Sequence, residues 1–191
     1  MTKRITQADI DEWINKSKVP VYFWSKRETA KRTLAKISTL YGFRGYYSHA
    51  SSLSLENSFI YVYKHQPLYG QLETLIHEMV HSNCHFDRCK CFSSEHMEHR
   101  KYLTEYHAFK KTMQIALERQ YYQILKRTIL KIEKADTYKH PHCIALKMLK
   151  GTKLYNECKN FIRKVDNDRK THNRWSGGAD LRSRCDTARY R

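Results

Sequence analysis

Three residues near the middle of the chain, His77, Glu78 and His81, have types and spacing that could do chemistry. Imidazoles four residues apart stand on one face of a helix, close enough to share a single Zn²⁺. A glutamate between them sits beside the metal's open position, where it can take a proton from a water molecule. With 11 His in the chain the spacing could arise by chance, on a helix with two exposed histidines and a solvated carboxylate. The flanking residues argue against that. Leu72, Leu75, Ile76, Met79 and Val80 recur at three- and four-residue steps, the pattern of one packed helical face. Thr74, Leu75, Met79, Val80 and Ser82 around the motif are uncharged in a chain that is 29% charged.

The stretch Glu73-Thr74-Leu75-Ile76-His77-Glu78-Met79-Val80-His81 resembles the active-site helix of zincin metallopeptidases. Its wording is similar to that of SprT-like proteases, which act on DNA-bound proteins. Downstream, Tyr102-Leu103-Thr104-Glu105-Tyr106-His107-Ala108 resembles the Glu-x-x-Ala element of ImmA/IrrE and ArdC-type proteins. Those are gluzincin-like, with a glutamate of a following helix as third ligand. The resemblance spans Ser58 to Phe109. It implies a zinc-dependent peptide hydrolase, and its commoner setting on mobile elements implies a phage or plasmid origin. The separate N-terminal DNA-binding domain of the ArdC kind has no counterpart here.

A catalytic zinc takes three protein ligands and keeps one position open. His85, His96, His99, Glu105 and His107 are the candidates for the third. His85 extends the row His77, His81, His85, but a third residue on the same straight helix lies a further turn away and cannot converge on the metal. Glu105 comes 24 residues after His81, inside a long helical pattern that a short connection could return antiparallel to the first helix. Ala108, one turn on, would let the two helices approach closely. Glu105 is the expected ligand, with His96 or His99 as the alternatives and Lys101 as the partner Glu105 would have on a merely solvated face. Glu78 is then the general base, and Tyr102, Tyr106 or His107 could donate to a developing oxyanion.

The elements that must position these groups follow from periodicity and turn signals. Residues Thr6 to Asn15 read as an amphipathic helix through Ile10, Trp13 and Ile14. Val19 to Trp24 is β-prone, with Pro20 favouring a first or edge position. A helix is expected from Lys26 to Leu40, and strands over Arg44–Ala50 and Leu53–Tyr63. The zincin resemblance gives Ser58–Tyr63 the role of an edge strand to which a substrate backbone adds. The motif helix is expected over Gln71–Asn83, one long helix over Ser94–Ala135, and a last one over Cys143–Val165, interrupted near Gly151. The fold class is therefore α+β: a zincin-like domain over residues 1–165 with a small sheet, an HExxH helix and a long returning helix. Residues 166–191 read as a basic, flexible tail.

Composition bounds the rest. Hydrophobic content of 40%, with 13% aromatic, excludes a wholly disordered chain. No window holds the roughly 18 apolar residues of a membrane span, and Met1 to Gln7 lacks the apolar run of a secretory signal. A cytoplasmic protein, in a host cytoplasm if phage-encoded, is expected. Its six Cys should then be reduced. Cys84, Cys89 and Cys91 follow the motif closely, but their spacing is not that of paired CxxC knuckles; whether they bind a second metal stays open, and His140-Pro141-His142-Cys143 with Cys158 is a weaker cluster. A net charge of +17 calls for an anionic partner, nucleic acid first, with aromatics interleaved among the cations at Lys26-Arg27, Lys31-Arg32 and Arg44-Gly45-Tyr46-Tyr47. The expected function is zinc-dependent hydrolysis of a protein substrate, regulatory in character and near nucleic acid. The alternative is a non-catalytic zinc-containing nucleic-acid-binding protein.

Overall fold

The computed structural model describes residues 2–25, 45–48, 58–87, 89, 97–135 and 141–176, of which 45–48, 97–100 and 172–176 are described as backbone only. In chain order the elements are α1 (Gln7–Asn15), β1 (Val21–Trp24), β2 (Gly45–Ser48), β3 (Phe59–Tyr63), α2 (Leu68–Phe86), α3 (Met97–Glu118), α4 (Tyr122–Lys134), α5 (Pro141–Leu149) and α6 (Lys153–Ser176). The architecture is α+β and mostly helical. The helix expected over Lys26–Leu40 lies outside the described residues.

The sheet has the order β1-β3-β2, with β1 parallel and β2 antiparallel to β3. Val21 pairs with Ile60 and Tyr47 with the same Ile60, so β3 is flanked on both sides. This corrects the expectation that Ser58–Tyr63 is an edge strand able to take up a substrate backbone. Its N–H and C=O groups are already used in two ladders. Alternation along β3 buries Ile60 and Val62 completely, on the face turned to the core.

Helix α2 packs against β2 and β3 on one side and α3 on the other, and α3 also packs against α5. Leu72, Leu75 and Ile76 are fully buried, as is Ala108 on the facing helix, which lets α2 and α3 come close. Before the motif the chain turns at Pro67, the N-cap of α2. Gly70 keeps the first turn open: a Cβ there would stand 2.5 Å from Arg127 Nη1, which crosses this point to reach Glu73.

The single helix expected over Ser94–Ala135 is two helices. Gln120 adopts φ +57° between them. The Gln120 N–H donates to Leu117 O at 3.1 Å and the Tyr121 N–H to Ala116 O at 2.8 Å, the paired bonds of a Schellman ending. No glycine or asparagine marks the break. Fully buried Tyr121 holds it, its hydroxyl donating to Asp9 Oδ1 at 2.8 Å. Asp9 also caps α1, accepting from the Thr6 N–H and hydroxyl, both at 2.9 Å.

Pro141 opens α5 at the position where a missing N–H costs nothing. Gly151, at φ +81°, separates α5 from α6, whose N-terminus Thr152 caps by accepting from the Tyr155 N–H at 3.3 Å. The interruption near Gly151 is thus as expected, but α6 continues through the expected boundary at residue 165 to Ser176. Asp166 accepts from the Tyr122 hydroxyl, and the Arg169 guanidinium lies 4.4 Å above the Tyr122 ring. These contacts dock residues past 165 on α4, and only 177–191 of the expected tail lie outside the description.

Candidate metal centre

His77 and His81 project from one face of α2, one turn apart. Glu105, in the third turn of α3, meets them across the helix pair. His77 Nε2 lies 3.1 Å from Glu105 Oε2, His81 Nε2 lies 3.4 Å from Glu105 Oε1, and the two Nε2 atoms are 3.1 Å apart. The Glu105 side chain is 15% exposed, so it is not the solvated carboxylate that would pair with Lys101. Phe109 walls the site, its ring centroid 4.6 Å from that of His77.

Three ligand atoms around a tetrahedral zinc with arms of about 2.0–2.1 Å lie roughly 3.3–3.4 Å from one another. The two nitrogens stand 3.1 Å apart and each lies 3.1 or 3.4 Å from a different oxygen of the Glu105 carboxylate, separations close to that size, and one ligand atom from each residue lies within 4.8 Å of the others. Two facing imidazole nitrogens repel through their lone pairs unless a proton or a cation stands between them. The donor set, two imidazoles and a carboxylate, suits a first-row divalent metal such as zinc or ferrous iron.

The electrostatics agree with a site meant for a cation. Burial would raise the Glu105 carboxyl, but hydrogen bonds from His77 and His81 outweigh it and hold the group below the ordinary carboxylate range. Burial would lower His81, yet the contact with Glu105 and the charges of Glu105 and Glu78 raise it. Glu78 therefore acts on the site through its field, from a half-buried position next to His77.

A residue not expected here completes the group. His142, in the first turn of α5, places Nε2 at 3.2 Å from Glu105 Oε2, and its ring stacks on His77 at 6.3 Å and 15°. It stands beside the compact cluster of His77, His81 and Glu105 rather than in it. The sequence offered His142 only within His140-Pro141-His142-Cys143, as part of another cluster.

Of the other candidates, His85 is half-buried and stacks on Phe86 at 5.1 Å. His96 and the side chain of His99 lie outside the described residues. His107 joins a second group, with Cys84 and Cys89. Burial, with help from Lys111, Lys110 and His81, holds the His107 imidazole below its ordinary pKa. Cys158 is fully buried, and that burial, with the charge of Glu157, pushes its thiol up to about 12.

No family model matches the chain, and no curated protein or solved structure gives a match to it. The reading of the site therefore stands on its own geometry. No helix among the described residues is long and apolar enough to cross a membrane.

Proposed function

We propose that this chain is a zinc-dependent hydrolase of peptide bonds on a zincin-like scaffold, with His77, His81 and Glu105 as ligands and Glu78 as general base. One observation carries the reading: the two imidazole nitrogens of an HExxH helix lie 3.1 Å apart, and each lies within 3.4 Å of an oxygen of the Glu105 carboxylate, close to the spacing of ligands around a tetrahedral zinc. Bound there, zinc would polarise a scissile carbonyl and bring the pKa of a water towards about 7. Glu78 accepts the proton of the attacking water and returns it to the departing amine. His142, at the rim, can donate a ring N–H to charge developing on the carbonyl oxygen. Tyr102, Tyr106 and His107 are the other candidates for that role; His142 is 34% exposed and lies 3.2 Å from Glu105 Oε2.

The net charge of +17 extends the proposal to protein substrates held near nucleic acid. The same charge favours a second reading, a zinc-containing nucleic-acid-binding protein without catalysis. Glu78→Gln separates the two. The variant should keep its zinc, by elemental mass spectrometry, and lose about 10²–10⁴-fold in the rate at which the protein cleaves a peptide library. No cleavage by either form beside intact DNA binding would favour the binding protein, and equal cleavage by both would remove Glu78 as the base. Wild-type protein that takes up no zinc on reconstitution would end both.

A further inference from the structure

Beside the centre just described, a second set of metal-ligating atoms converges from three places in the chain. Cys84 sits in the last turn of α2, 6% exposed. Cys89 follows just past the helix end, and His107 lies on α3. One ligand atom from each, two sulfurs and a ring nitrogen, lie within 4.8 Å of one another. Both cysteines are in the thiol form.

A local device brings the cysteines together. The Cys89 N–H donates to Cys84 O at 2.9 Å, and the Asp87 N–H to Asn83 O at 2.8 Å. The first bond joins residue i+5 to residue i, the 6→1 closure by which a helix end turns back on itself. Spacing of five, unlike that of a CxxC knuckle, thus suffices to place two sulfurs side by side when the first ends a helix. His107 then approaches from the neighbouring helix.

We propose that Cys84, Cys89 and His107 form a second zinc site, one that ties two segments of the chain together. Around a tetrahedral zinc, sulfur and nitrogen ligands lie roughly 3.5–3.8 Å apart, a contraction of about 1.3 Å at most from the observed limit. On binding, each thiol gives its proton to solvent and the imidazole coordinates neutral. Zn²⁺ with two thiolates and a neutral imidazole carries no net charge, so the ion is held without burying charge. At the first centre, two imidazoles and one carboxylate leave a net positive charge, which a Lewis acid needs. The two centres thus differ in donors: nitrogen and oxygen at the first, sulfur and nitrogen at the second. The second ion would tie the chain beyond α2 to α3 two residues from Glu105, and so hold that carboxylate against His77 and His81.

This inference is independent of hydrolysis, and its test separates the two centres. Full-length protein, reduced and reconstituted with cobalt, should bind two ions per chain and develop a thiolate-to-cobalt charge-transfer band. His77→Ala/His81→Ala should keep the band and lose one ion. Cys84→Ser/Cys89→Ser should lose the band and keep one. Since Cys84 is buried and its replacement risks the fold, the wild-type protein supplies a second reading. Zinc should slow alkylation of Cys84 and Cys89 by iodoacetamide at least about tenfold, read peptide by peptide. No band in folded wild-type protein, a band that survives loss of both cysteines, or alkylation indifferent to zinc would each overturn the site.

Discussion

Glu73 is buried and Glu105 largely so at the contact of α2 with its neighbours, but their surroundings differ in kind. Glu73, one turn before His77, accepts from Lys131 Nζ and the Thr128 hydroxyl, and lies 3.1 Å from Arg127 Nε in an ion pair not aligned as a hydrogen bond. Arg and Lys carry their charge at every physiological pH. Glu105 instead faces three imidazoles, His77, His81 and His142. An imidazole is charged only below its pKa, near 6.5 when unperturbed. A carboxylate meant only to hold helices together is given permanent counter-charges. One meant to hold a metal is given neighbours that can become neutral ligands. Asp9 follows the Glu73 pattern, with Lys3, Thr6 and Tyr121 around it.

That contrast can be broken most sharply at Glu105. Four ligands share about 10–16 kcal/mol of zinc binding in structural sites, so Glu105→Ala should weaken zinc at the first centre on the order of 100–1,000-fold. Competition with a chromophoric chelator measures this. The metal-free chain should lose stability as well, since His77 and His81 hold the Glu105 carboxyl below its ordinary range. If zinc affinity were unmoved, the two carboxylates would be of one kind.

Glu73→Gln should act on stability and not on the metal. It leaves Arg127 and Lys131 facing a neutral amide and costs about 2–3 kcal/mol, below the range for a fully buried pair because Lys131 is 35% exposed. Urea unfolding of the metal-free variant reads the loss, with zinc affinity per folded molecule unchanged.

Asp9 extends the comparison to pH, with a smaller effect because Lys3 is 46% exposed and screened by solvent. Burial would raise the Asp9 carboxyl, but hydrogen bonds from Lys3, Thr6 and Tyr121 hold it well below the usual range. Its folded pKa is depressed, so its stabilisation is complete above the unfolded value, near 3.9, and fades as pH falls through the folded one. The stability gap between wild type and Asp9→Asn should therefore narrow from pH 5 to pH 2. A gap that widened in acid would contradict the assignment. His142→Ala should act least on the metal, about tenfold on zinc affinity, as for groups that orient ligands from outside.

The sequence made the first centre legible where one helix, or two joined by a short return, set the geometry. His77 and His81 followed from helical spacing, and Glu105 from a returning helix with Ala108 to permit close approach. His142 was hidden because nothing local ties α5 to α2; Pro141 announces a helix start but not its neighbour. The break at Gln120 was hidden too, since Tyr121 and Asp9 impose it from 112 positions apart rather than a glycine. Cys84 and Cys89 were visible, but their spacing was judged against zinc knuckles and not against the end of a helix. The placement of β3 inside the sheet depended on β1 and β2 arriving from opposite sides.

The bond between Tyr121 and Asp9 has a consequence for a chain made from its N-terminus. At roughly 5–20 residues per second, the ribosome needs about 6–22 s to add the 112 residues between them. For that interval the first helix has its own cap and, once α2 has been made, a helix to pack on, but not this hydroxyl. His77, His81 and Glu105 are all made before Tyr121, so the proposed ion could be captured before this bond closes. Only when Tyr121 follows does Asp9 gain the last of its partners.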